Sequence, residues 1–340
     1  MFKIISIDGP EFTDEKWIAC QELLVALRRK YNSFFFDIPW QRLKEQHLSL
    51  LQTDKHQYRY GVFDEGKAVG WVIAQGRDIG GTDPSLVSNL DADYDLIPRK
   101  FSMTVGAELE KLLENYGLQE LEYMANCRRT IKPAEHWMGI RVNILNRFQL
   151  ERIIAHKDLI DNWLQEFPTR YPSLRLEFHK IIPDKYLVRF AELFTQFLNE
   201  MPRERDRGRN YHITPEIFRV HDEWRRKNDR FLYIFTMHDD RDNMTGFTNA
   251  MVAGHDPSNA YQAMTGVISE YRGKGLSKWL KAALFRKIGE DFPGNKYMTT
   301  DMRAVNFPIQ KVNEQMGYKL ISEGAEYSVS LENLKQSLMK

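Results

Sequence analysis

The chain has 340 residues, of which 42% are hydrophobic and 28% charged. That length predicts two domains, each large enough for its own core, and the composition is that of an ordinary globular protein. The 48 basic and 47 acidic side chains nearly cancel, which removes any general attraction for nucleic acid or an anionic membrane and requires an anion site to be local.

The opening segment, MFKIISIDGPEFTDEKW, meets Asp8, Glu11 and Asp14 before any apolar run that would serve as a signal peptide. No stretch is long enough to span a bilayer. The two cysteines, Cys20 and Cys127, fit reduced buried thiols rather than a disulfide framework, so a cytoplasmic location is expected. Next, YRYGVFDEGKAVGWVIAQG (residues 58 to 76) predicts a hairpin turning at Asp64, Glu65 and Gly66. A later segment, FLYIFTMHDDRDNMTGFTNAMVAG (231 to 254), has the same form, with its turn at Asp239 to Asn243. HWMGIR at 136 to 141 resembles EQMGYK at 314 to 319. Gly70 against Gly246 and Gly139 against Gly317 share nearly one offset, which favours a duplicated fold. QEFPTRYPS, with two prolines, separates the copies. The expected division is therefore a first domain at 1–165, a linker at 166–173 and a second domain at 174–340.

Each copy predicts a strand, two helices, a hairpin, another strand, a helix, a strand, a helix and closing strands, a mixed α/β (α+β) class. In the second copy the expected strands are 174 to 181, 231 to 238, 244 to 253, 260 to 269, 296 to 301 and 318 to 331. The expected helices are 185 to 199, 215 to 227, 275 to 290 and 305 to 316. Thr214 before Pro215 and Glu216 reads as a helix cap. Between the first two helices, MPRERDRGRNYHITPE alternates Arg203, Arg205, Arg207 and Arg209 with Glu204, Asp206 and Gly208. It is either a solvated loop or a guanidinium clamp for an acceptor's carboxylate or phosphate, with Tyr211 and His212 beside it. Trp224-Arg225-Arg226-Lys227 is a basic helix end that suits the dipole without a ligand. No metal-ligand spacing is legible among the 9 histidines and 2 cysteines.

The stretch SEYRGKGLSKWLKAALFRKI (269 to 288) carries the chemistry. Leu276, Trp279, Leu280, Ala283, Leu284 and Ile288 recur at helical spacing, with Lys278, Lys281, Arg286 and Lys287 largely on the other side. Arg272 to Ser277 then form a tight strand-to-helix turn. Its unpaired N–H groups, positive dipole end, glycines and two cations suit a phosphate or pyrophosphate. The bland alternative is that Gly273 and Gly275 only permit unusual backbone angles while the cations lie in water.

Arg272-Gly273-Lys274-Gly275-Leu276-Ser277 resembles the acyl-CoA pyrophosphate loop of the GNAT N-acetyltransferase superfamily. Gln262-Ala263-Met264-Thr265-Gly266-Val267 resembles its fourth strand, and Thr300-Asp301, Asn306 and Asn313-Glu314-Gln315-Met316-Gly317-Tyr318 its fifth strand and last helix. The similarity covers residues 174 to 331 and, through the repeat, the first half. It is closest to tandem members of the kind that includes mycothiol synthase. The resemblance implies two tandem GNAT-like domains, each a mixed, mostly antiparallel sheet flanked by helices, with acetyl-CoA as co-substrate, no metal, and an amine on a small molecule as acceptor. It implies that backbone around Val267 and Ile268 pairs with pantetheine and supplies the oxyanion donor. The amides of Arg272, Gly273, Lys274, Gly275, Leu276 and Ser277 would hold the pyrophosphate, and Asn306 would either bond the pantetheine arm or serve as a cap.

The proton-transfer residues depart from the family pattern. Asn313 stands where many members place a tyrosine acid, and Tyr318 lies nearby in sequence. Asp301 is the first candidate base and Glu270 the second, with water on Thr265 as a third route; for either acid the alternative is a solvated strand end. In the first copy, RKFSMTVGAELEKLLENYG places Val105-Gly106-Ala107-Glu108 where the other copy has its loop. That reads as a degenerate domain without a pyrophosphate site. The oligomeric state is not legible. Two other readings are a non-catalytic acyl-CoA-binding or sensing protein and a protein N-acetyltransferase.

Overall fold

The computed structural model describes residues 2–31, 39–53, 55–77, 85–92, 98–125, 131–205 and 211–340. Cys127, Arg207 and Arg209 lie outside the described residues. The first repeat runs β1 (Lys3–Ser6), α1 (Asp14–Tyr31), α2 (Trp40–Thr53), β2 (Gln57–Asp64), β3 (Lys67–Arg77), β4 (Ser85–Ala92), α3 (Arg99–Asn115), β5 (Glu120–Ala125), α4 (Ile131–His136) and β6 (Ile140–Glu151). After α5 (Lys157–Arg170) the order recurs as β7 (Arg175–His179), α6 (Asp184–Glu200), α7 (Pro215–Lys227), β8 (Arg230–His238), β9 (Met244–Ala253), β10 (Asp256–Val267), α8 (Leu276–Asp291), β11 (Tyr297–Arg303), α9 (Phe307–Met316) and β12 (Lys319–Ser330). A last helix, α10 (Leu331–Leu338), follows. Each element expected in the second copy is present within a few residues of its expected bounds. Glu65 and Gly66 both take positive φ, as a two-residue hairpin turn of this hand requires. Thr214 occupies the cap position with Pro215 in the first turn, although its side chain makes no capping bond.

The chain divides into two units, residues Met1–Leu145 with Ser322–Lys340, and Asn146–Ile321. These bounds differ from the expected ones at both ends of the second copy, because the closing strands are exchanged. In the first unit the strands run β1-β2-β3-β4-β5-β12, and β12 pairs antiparallel with β5 through Ala325↔Ala125 to Ser330↔Glu120. In the second unit the order is β6-β11-β10-β9-β8-β7. The β4–β5 and β10–β11 pairs are parallel, while the hairpin pairs are antiparallel.

The expected linker is also corrected. Residues 166–170 belong to α5, which buries Ile160, Trp163 and Phe167 in the core of the second unit. Phe167 stacks on Trp279 of α8. Apolar spacing carried this segment into a helix despite Pro168, which lies in its last turn.

In the first unit, α3 packs Phe101, Val105, Leu109, Leu112 and Leu113 against the sheet and Leu334 of α10. Gly106 therefore lies inside a helix rather than at its start. A Cβ there would stand 2.6 Å from Trp137 Nε1, so close packing explains this glycine. In sequence, the six residues ahead of α3, Asp93-Tyr94-Asp95-Leu96-Ile97-Pro98, contain two carboxylates and no glycine; Asp93 to Ile97 lie outside the described residues. The contrast between the copies persists, on different residues from those expected.

Candidate functional site

The second unit opens its sheet at one place. Parallel pairing of β10 with β11 covers only Asn259–Tyr261 against Tyr297–Thr299, and beyond Tyr261 the two strands part. On its other side β10 stays paired with β9 as far as Val267↔Gly246, and Ile268 N–H donates to Thr245 O at 2.9 Å. Because hydrogen-bonded and non-hydrogen-bonded pairs alternate along an antiparallel ladder, Thr265 and Val267 direct their main-chain groups away from β9, toward the parting. Gly266 lets α6 close over this strand. A Cβ on it would lie 2.0 Å from the Phe197 ring.

The parting leads to the glycine-bearing turn. A single 3-10 turn, Ser269–Tyr271, precedes it, and Gly273 (φ 75°) and Gly275 (φ 78°) are both in the left-handed region. Gly275 is the N-cap of α8 and supplies no side-chain acceptor, so the first amides of α8 are left for a ligand or water. The turn rests on α5. Phe167 lies 3.1 Å from where a Gly275 Cβ would be, and the Tyr171 hydroxyl donates to Lys274 O at 3.3 Å.

A cavity of about 500 Å³ joins these parts. Its lining includes Thr265, Gly266 and Val267 of the strand, Arg272, Gly273, Gly275, Leu276 and Ser277 of the turn, and Asn306. Phe197, Glu200, Met201 and Pro202 form the wall from α6. Asn306 is the N-cap of α9 but makes no side-chain capping bond, which leaves its amide available to the cavity. Lys274 and Ile268 are not part of the lining; Lys274 extends over the Tyr271 ring at 4.9 Å. Arg272 is held in place: its Nε donates to Val267 O at 2.9 Å and its Nη2 pairs with Glu200. Burial raises the Glu200 carboxyl, but the bonds from Gln196 and Arg272 outweigh it and leave the group below its usual range. Thus one of the two cations expected to face phosphate, Arg272, already has a carboxylate partner.

Of the four candidates for proton transfer, only Thr265 lines the cavity. Asp301 receives both Nε and Nη2 of Arg147, at 2.7 and 2.8 Å, which occupies the carboxylate a general base would need free. Glu270 is exposed, accepts from Ser269 Oγ at 2.9 Å, and has its pKa lowered first by its backbone bond and then by Ser269. That shift is opposite to the one a base working near neutral pH requires. Asn313 is 1% exposed, its Nδ2 turned to the Met302 sulfur and its Oδ1 without a partner. Tyr318 is buried, and its hydroxyl donates to Gln262 Oε1 at 3.2 Å. In the loop after α6, Arg203 lies over the Tyr211 ring, while Asn199 and Thr195 bond the backbone of Tyr211 and Ile213. Neither Arg203, Arg205, Tyr211 nor His212 lines the cavity.

Sequence reasoning missed a buried polar chain behind β10. Lys281, expected on the outer face of α8, is 2% exposed and donates to Gln262 Oε1. Gln262 Nε2 reaches Thr248 Oγ1 at 3.1 Å and Thr265 Oγ1 at 3.3 Å, and the two threonine hydroxyls are 2.7 Å apart. The Thr265 hydroxyl is therefore fixed from the core side. The outer-face reading failed because α8 is covered on nearly every side, Ala282 and Phe285 included.

No protein-family model and no curated protein matches the sequence. Solved structures do match its fold. A tandem GNAT protein from the clavulanic acid biosynthesis pathway aligns over 97% of this chain and 99% of its own, with a TM-score of 0.70 and 16% identity. A GCN5-related N-acetyltransferase from Sphaerobacter thermophilus aligns over 97% and 96%, with a TM-score of 0.62 and 13% identity. The glucosamine N-acetyltransferase region of a fungal multi-domain GH3 β-N-acetylglucosaminidase aligns over 96% of this chain and 38% of that one, with a TM-score of 0.61 and 13% identity. The chain thus has the tandem GNAT fold. Among the described residues no helix is long and apolar enough to cross a membrane.

Proposed function

We propose that the second unit binds acetyl-CoA and transfers its acetyl group directly to an amine on a small molecule. The observation that carries this reading is that the capless helix start at Gly275 and the open edge of β10 face one cavity. The amides from Gly273 to Ser277 would hold the pyrophosphate, the main-chain groups of Thr265 with Asn306 the pantetheine arm, and Val267 N–H, whose own carbonyl is taken by Arg272, the developing oxyanion. Acetyl-CoA supplies the acyl group as a thioester. The chain's part is to place that carbonyl against a fixed donor and to exclude water with Phe197, Met201 and Pro202. Two of the neighbours that share this fold are described as N-acetyltransferases, one of them acting on glucosamine, which supports a small-molecule amine as acceptor. The first unit, with two carboxylates and no glycine in the sequence ahead of α3, supports the second rather than binding CoA itself.

A second reading has its own support: a non-catalytic acyl-CoA-binding protein. Asp301 is ion-paired, Glu270 faces solvent and Asn313 replaces the usual acid, so the titratable side chains of the lining are Glu200, Tyr271 and Arg272. Thiol release from acetyl-CoA across a panel of small amines separates the two readings. Amine-dependent release supports the transferase. Tight CoA binding with no release above the amine-free rate supports the sensor.

The geometry gives Asp301 a structural role with a measurable consequence. Asp301→Asn should cost about 1–3 kcal/mol of stability by leaving the Arg147 guanidinium incompletely paired. CoA affinity and the pH–rate profile should change little. Normal chemical denaturation together with a collapse of turnover would return Asp301 to the role of base.

A further inference from the structure

Away from the cavity, adjacent strands of the same unit bring together two histidines and a glutamate. In the β7–β8 register Arg175 lies opposite His238 and Glu177 opposite Thr236. Because side chains alternate along a strand, Glu177, His179, Thr236 and His238 share one face of the sheet. One ligand-capable atom each from Glu177, His179 and His238 lies within 4.8 Å of the others. The close spacing of metal ligands in sequence could not reveal this group, since His179 and His238 meet only through strand pairing.

We propose that Glu177, His179 and His238 bind a divalent transition cation of the zinc class. The ring nitrogens are already convergent: Nε2 of His179 and Nε2 of His238 lie 2.9 and 2.8 Å from the same Thr236 hydroxyl. The Glu177 carboxylate is oriented for the same purpose. Its Oε1 takes Arg175 at 3.0 Å, and its Oε2 is turned to His179 Nε2 at 3.8 Å. His238 has its other nitrogen toward Asp242, with Nδ1 3.5 Å from the main-chain oxygen and 3.7 Å from the carboxylate. An Nδ1–H directed there leaves the Nε2 lone pair pointing inward, the tautomer a metal ligand needs, with an outer carboxylate of the kind that commonly orients such a ligand. Two imidazoles and one carboxylate favour zinc over magnesium or calcium, which prefer all-oxygen shells. Ligand separations must contract to about 3.4 Å around a tetrahedral ion, a movement within the reach of Glu177 and His179 side-chain torsions.

The surroundings suit such an ion. His238 is fully buried and packs under the Tyr186 ring at 4.5 Å, so the site joins β7 and β8 to α6. A bound ion would therefore brace α6, the helix that carries Phe197 and Glu200 to the cavity wall.

The test uses the full chain, stripped with a chelator and dialysed, then titrated with Zn2+ against a chromogenic competitor. One equivalent bound per chain, a zinc-dependent rise in melting temperature, and no comparable rise with Mg2+ or Ca2+ are expected. His179→Gln and Glu177→Gln should each weaken zinc binding at least tenfold and remove the thermal shift. Glu177 lies at a partly exposed strand position, which keeps the test usable if the histidine variant folds poorly. Failure of the wild-type chain to take up zinc at tens of micromolar would overturn the proposal. Uptake by both variants equal to that of the wild type would also overturn it, by placing the ion elsewhere.

Discussion

Ser277→Glu should weaken CoA binding by at least about 2 kcal/mol, a factor of about thirty, while leaving the chain folded. The substitution puts a carboxylate in the first turn of α8, where it occupies the same dipole and amides as the pyrophosphate. The helix itself tolerates an acid at that position well, so lost affinity cannot be ascribed to a lost fold. Gly275→Val should act in the same direction, by at least about 1–3 kcal/mol, since it removes the backbone geometry that presents those amides. Its effect is less specific. At φ 78° a β-branched residue is strained, and its Cβ would press on Phe167 at 3.1 Å. Isothermal titration of both variants, with melting curves alongside, checks the assignment. Unchanged affinity in folded Ser277→Glu would remove the turn from the binding site.

Lys281→Met should raise stability, and by more at pH 6 than at pH 10. Burial pushes the Lys281 pKa down from 10.5 to about 7. Its near neighbours are the neutral Gln262 amide and the Tyr318 ring at 5.4 Å, neither of which offers a full negative charge. The folded chain therefore binds fewer protons than the unfolded chain between about pH 7 and 10.5, so this group makes stability increase with pH across that window. At pH 6 the lysine is charged in both states and its burial cost is fully present. Methionine fills a similar volume without charge, and the gain at pH 6 should be on the order of a few kcal/mol. Gln262 Oε1 keeps its bond from Tyr318. Denaturation of both proteins across this pH range gives the answer. A methionine variant less stable than the wild type at pH 6 would mean that the ammonium is satisfied where it lies.

Much of this arrangement is legible in the sequence itself. The two glycines of the turn and the apolar stripe Leu276, Trp279, Leu280, Ala283, Leu284, Ile288 located the start of α8, because local backbone and periodicity determine both. The repeat was visible for a similar reason: Gly139 and Gly317 each precede a closing strand. What remained hidden depends on long-range pairing. The exchange of β6 and β12 leaves no mark on composition or periodicity, and the part of α5 read as a linker proved to be the support beneath Gly275. Partners were equally out of reach. Arg147 is 154 residues from Asp301, so the acid that looked most like a base could not be seen to be occupied. Gly106 misled because a glycine ahead of a helical run and a glycine inside a tightly packed helix read alike until Trp137 is placed against it.

Calorimetric titration of the intact chain with acetyl-CoA is the most direct test of a single acyl-CoA site in the second unit, anchored at Arg272 to Ser277. The second unit offers an open helix start with two glycines, whereas the sequence ahead of α3 in the first unit has Asp93 and Asp95 and no glycine. One site per chain is expected, with most of the heat lost in Ser277→Glu. Two equivalent sites, or one site whose heat survives that substitution, would contradict it and move acyl-CoA binding out of this turn.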